Sequence, residues 1–85
     1  MGKGSEEIDQ RIKDVIKKIL FVKNEDIKNE TTIAELGGDS LSSLRILSAL
    51  EKEFDIDISD EDAQTIKTFG AAVKVVKKCL NSDSI

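Results

Sequence analysis

Apolar residues recur along this chain at the three- and four-residue spacing of a single helix face, in four separate stretches. In the first, Ile8, Ile12, Val15, Ile16 and Ile19 form one stripe, which predicts a helix over about Ser5 to Leu20. Ser5 suits its N-cap, Glu6 and Glu7 suit the positive end of its dipole, and Lys17 and Lys18 suit the negative end. The second helix begins after Asp39 and runs to about Phe54. The third is short, about Ser59 to Ile66, with Ser59 and Asp62 spaced as a capping box in which Asp replaces the usual Glu. The fourth covers about Thr68 to Leu80, with Thr68 as cap. Phe69, Ala72, Val73, Val76, Cys79 and Leu80 make its stripe, and Lys74, Lys77 and Lys78 fall on or near its outer side.

Phe21 to Gly38 reads as one long connection. Asn24, Asn29, Thr31, Thr32, Gly37 and Gly38 favour turns and loops, while Ile27, Ile33 and Leu36 are placed to pin the segment to the core. A connection of this length fits one that crosses a bundle end to end. No proline interrupts any helix. The fold predicted is therefore all-α: a four-helix bundle of three longer helices and one short one, with a long first loop. The domain is expected over residues 5–81, with residues 1–4 and 82–85 as flexible ends.

The second helix carries two kinds of apolar position. At about 100° per residue, Ser43, Ile46, Leu47, Leu50 and Phe54 share one arc, the obvious core face. Leu41, Leu44 and Ser48 lie roughly opposite, beside Lys52. Either the two leucines form an exposed docking patch, or one broad arc buries both against the long loop.

Composition narrows the function. Thirteen basic and 17 acidic residues among 85 give a net charge of -4. That balance argues against a general nucleic-acid binder and fits partners that present basic patches. No apolar run approaches the roughly 20 residues that span a bilayer, so no stable membrane insertion is expected. The start, Met1-Gly2-Lys3-Gly4-Ser5-Glu6, lacks a signal-type apolar stretch, and Glu6 stands where a myristoylation signal needs Ser or Thr. A cytoplasmic monomer is expected. With one cysteine and no histidine, an internal disulfide and the usual zinc frameworks are excluded. Cys79 falls on an apolar stripe and is expected to pack in the core. Asp55, Asp57, Asp60, Glu61 and Asp62 cluster after the second helix but lack EF-hand spacing and its central glycine. No metal site is expected; the cluster reads as a solvated surface or as a patch for a basic partner.

The segment Leu36-Gly37-Gly38-Asp39-Ser40-Leu41 holds the candidate chemistry. Asp39 is a good N-cap, which puts Ser40 at the first helical position. A phosphate ester on its hydroxyl would meet unpaired backbone N–H groups and the helix dipole. The alternative is that Asp39 and Ser40 merely start a helix after a glycine turn. Gly-Asp-Ser-Leu also occurs in a family of esterases and lipases, but a nucleophilic serine needs a base and this chain has no histidine. An enzyme is not expected.

The chain resembles acyl carrier proteins over nearly its whole length, most strongly from Leu36 to Val73. Asp39-Ser40-Leu41, Ala49-Leu50-Glu51-Lys52-Glu53-Phe54, and Ile56-Asp57-Ile58-Ser59-Asp60-Glu61-Asp62-Ala63 match that family's pattern in order and spacing. The resemblance implies that Ser40 receives a covalent 4′-phosphopantetheine arm from coenzyme A, through a phosphopantetheinyl transferase, with Asp39 and Leu41 flanking the attachment. It implies that acyl-loading and acyl-processing enzymes then use the arm's thiol to hold acyl groups as thioesters in fatty-acid or specialised biosynthesis. Leu41, Leu44, Arg45, Ser48, Asp60 and Glu61 are the partner-contact candidates. Ile46, Leu50, Phe54, Ile58, Ala63, Ile66 and Ala72 are candidates to line an acyl-chain pocket; without cargo the same residues would make an ordinary core. The chain departs from the fatty-acid type by having Ser42, Arg45 and Gln64 where acidic residues are usual, and Ser59 where proline is usual. Those departures imply a more specialised pathway. Leu-Gly-Gly-Asp-Ser-Leu is also similar to peptidyl carrier domains, so aminoacyl, peptidyl or polyketide cargo is an alternative, as is an unmodified interaction bundle.

Overall fold

A computed structural model describes residues 3–82, with side chains for 7–80. Four α-helices follow one another: α1 (Lys3–Leu20), α2 (Ser40–Phe54), α3 (Asp60–Thr65) and α4 (Phe69–Ser82), with a single 3-10 turn at Asn24–Asp26 in the long first loop. Among the described residues there is no sheet, only an isolated antiparallel bridge between Thr32 and Thr68. Residues 1–2 and 83–85, assigned above to the chain's ends, lie outside the described residues. Lys3, Gly4 and Ser82 are helical.

The stripes become the core. Ile12 and Ile16 of α1, Ile46 and Leu50 of α2 and Val76 of α4 are fully buried. α1 packs on both α2 and α4. Arg11 closes the contact between α1 and α2. Its Nε donates to Glu53 Oε2 at 2.8 Å, a terminal nitrogen donates to the Glu53 carbonyl at 2.8 Å, and its guanidinium lies 4.5 Å from the Phe54 ring centre. Short α3 buries no residue of its own. The flanking Ile58 and Ile66 are buried instead and hold it in place.

Local chemistry sets most boundaries. Ser59 Oγ accepts from the Asp62 N–H, and Thr68 Oγ1 accepts from the Ala71 N–H, capping α3 and α4. α2 ends at Asp55, which is left-handed at φ 54°, while the Ile56 N–H reaches back to the Glu51 carbonyl. Three expectations are corrected. α1 already includes Lys3 and Gly4, so Ser5 lies inside the helix rather than capping it; once a helix is nucleated, each added residue brings its own hydrogen bond. The Ser59–Asp62 pair acts as a cap in one direction only, because the Asp62 carboxylate turns to Lys78 Nζ at 3.1 Å. Cys79 is half-buried rather than buried, its thiol within 3.6 Å of the Asp57 carbonyl.

The long loop is stitched to the α3–α4 connection by backbone bonds. The Ile33 N–H donates to the Lys67 carbonyl (2.9 Å), Phe69 N–H to Thr31 (3.1 Å), and Gly70 N–H to Asn29 (2.9 Å). Ile27 and Ile33 are buried and Leu36 packs against the core, as their apolar character predicts. This stitching fixes the end of the loop, and with it the start of α2.

Candidate functional site

The start of α2 is built by three residues with separate tasks. Gly37 takes φ +90°, a conformation that a side chain disfavours. Gly38 lies against Ile33, and a Cβ there would overlap Ile33 Cγ2. Both glycines thus serve the turn that delivers the chain to α2. Asp39 is extended (φ -127°, ψ -169°) and is the N-cap; its Oδ1 accepts from the Ser42 N–H at 2.9 Å. Hydrogen bonds from Ser42, the backbone N–H first and the hydroxyl second, hold the Asp39 carboxyl below its ordinary value of 3.8. Asp39 is therefore anionic at neutral pH.

Ser40 is the first residue of α2 and is exposed. Its hydroxyl has no hydrogen-bond partner among the described residues. It opens onto a shallow depression of ≈ 420 Å³ whose walls include Ile33, Gly38, Asp39, Ile66 and Lys67. Ile33 and Ile66 belong at once to this depression and to the core. A reachable hydroxyl at a helix N-terminus, beside a groove with an apolar floor, fits the attachment of a phosphodiester-linked arm. Among the described residues no three acidic or sulfur side chains lie close enough together to hold a metal ion.

The other expected positions separate into two sets. Leu41 and Leu44 are 63% and 62% exposed, so the broad-arc alternative does not hold for them. With exposed Arg45 and Ser48 they form the outer face of α2. That face carries no acidic residue in its first turn. Asp60 and Glu61 are exposed in the first turn of α3. The second set is interior: Ile46, Leu50, Phe54, Ile58, Ile66 and Ala72 are buried, and Ala63 packs against their edge. Sequence reasoning missed Lys67 and Ile33 as neighbours of Ser40. No spacing rule links them, because they reach it through the backbone bond from Ile33 to Lys67.

Two comparisons bear on this site. The family model described as a phosphopantetheine attachment site matches residues 10–76, a span that includes Ser40. Among solved structures, the chain is similar to the acyl carrier protein of Enterococcus faecalis, with 33% identity and a TM-score of 0.75, covering 88% of this chain and 96% of that one.

Proposed function

The chain belongs to the phosphopantetheine attachment-site family, a carrier rather than a catalyst, and from that premise we propose that Ser40 bears its arm. The observation that carries this reading is the position of the Ser40 hydroxyl: exposed, without a hydrogen-bond partner among the described residues, and at the first position of a 15-residue helix. A phosphopantetheinyl transferase joins the arm's phosphate to the Ser40 oxygen, and the nucleotide half of coenzyme A leaves. When attached, the arm offers a terminal thiol on which acyl groups are held as thioesters. This chain's own residues orient and present that arm. Asp39 fixes the helix start, and the turn at Gly37 and Gly38 keeps the hydroxyl outward.

The cargo is an acyl group, and its chain shelters between α2 and α3. Ile66 supports this, because it lines the depression beside Ser40 and also joins the core of Ile46, Leu50, Phe54, Ile58 and Ala72. Partner enzymes dock on Leu41, Leu44, Arg45 and Ser48 of α2, with Asp60 and Glu61 of α3 as secondary contacts. With Ser42 and Arg45 on α2, a basic partner finds no carboxylate in its first turn and one opposing cation. The chain therefore serves a specialised pathway and couples poorly to general fatty-acid enzymes. Gly38 has a packing cause at Ile33 and Gly37 a backbone cause in its φ of +90°, so the turn explains both glycines whatever the cargo.

Intact mass after incubation with coenzyme A and a broad-specificity phosphopantetheinyl transferase tests the reading. The wild type should gain one phosphopantetheinyl group and Ser40→Ala none. No gain on the wild type, while a control carrier is loaded, would mean an unmodified interaction bundle.

A further inference from the structure

Resting on Ser40 as the attachment point, the geometry points to Lys67 as a positioning residue whose ammonium pairs with the phosphodiester formed there. Lys67 and Ser40 share the walls of one depression, and Lys67 is its single cationic lining residue. The side chain is exposed, and none of the ion pairs among the described residues uses it. Its backbone is fixed: the carbonyl accepts from Ile33 N–H at 2.9 Å, and the N–H donates to Thr65 at 2.9 Å. The lysine stem is thus anchored at one end and unoccupied at the other.

Charge favours the pairing. The phosphodiester brings a negative charge onto a serine whose neighbour, Asp39, is itself anionic. Asp39 has also taken the Ser42 N–H, one of the helix-end donors that would otherwise serve an anion. A flexible ammonium across the depression supplies the compensating charge, and a lysine pairs with phosphate as a mobile point charge. The effect is to bias the root of the arm towards the Ile33–Ile66 side of Ser40, over the core, rather than along the outer face of α2.

The test is ³¹P NMR of the phosphopantetheinylated wild type, Lys67→Met and Lys67→Arg, each at low and high salt. Because the fold uses only the backbone of Lys67, all three should unfold at closely similar denaturant concentrations. The wild-type resonance should differ from that of Lys67→Met at low salt and move towards it as salt is added. Lys67→Arg should restore the wild-type position. Identical wild-type and Lys67→Met spectra would overturn the inference while leaving Ser40 as the attachment site. So would a difference that neither salt nor arginine changes, which marks a structural effect. Failure of the wild type to take up the arm at all would overturn both readings.

Discussion

At the residue scale, three positions before Ser40 decide whether the site is presented. A Cβ on Gly38 meets Ile33, itself fixed in the core, so Gly38→Ala should destabilise by about 1–3 kcal/mol in urea titrations, the usual cost of overpacking. Gly37→Ala forces a side chain onto φ +90°, and roughly 1–2 kcal/mol is expected there. Asp39→Ala removes the cap and should lower stability measurably at neutral pH. That cost has a pH signature. The folded carboxyl sits below its unfolded value of 3.8, so its contribution is full above that value. It fades as pH falls through the lower folded value. Wild-type and Asp39→Ala stabilities should therefore converge below about pH 3.8, and a gap that persists into strong acid would contradict the capping account.

At the scale of elements, the stripes of α1, α2 and α4 were legible because burial follows the helical period directly. The caps at Asp39, Ser59 and Thr68 were legible because a short polar side chain before an apolar run satisfies orphan N–H groups locally. The Asp62–Lys78 pair and the Thr32–Thr68 bridge were not, since each joins residues distant in sequence. Nor did any pattern reveal that α1 ends in a left-handed phenylalanine. Phe21 has φ 56° and is 91% exposed, its N–H bonded to the Lys17 carbonyl at 2.9 Å. Glycine is the usual residue in that role. Little apolar area is lost by replacing Phe21, so Phe21→Gly should stabilise the protein by roughly 0.5–1 kcal/mol, relief of strain outweighing the added freedom of the unfolded chain. A clear loss of stability in equilibrium unfolding would show that the side chain packs more than its exposure indicates.

At the scale of the whole molecule, one core supports an exposed serine and an outer α2 face that departs from the acidic pattern. A net charge of -4 favours encounter with basic surfaces, while Arg45 places a cation on the exposed face of α2. Single exposed charge contacts contribute about 0.2–1 kcal/mol, so Arg45→Glu should raise turnover with general fatty-acid enzymes by up to roughly five-fold at low salt. No rise would show that Arg45 does not set the proposed selectivity. Fragmenting the modified peptide in a mass spectrometer shows whether Ser40 alone carries the arm. Ser42 and Ser43 lie in the same first turns of α2 and offer competing hydroxyls. Fragment ions should place the phosphopantetheinyl group on Ser40; its appearance on Ser42 or Ser43, or nowhere in the peptide, would contradict the account.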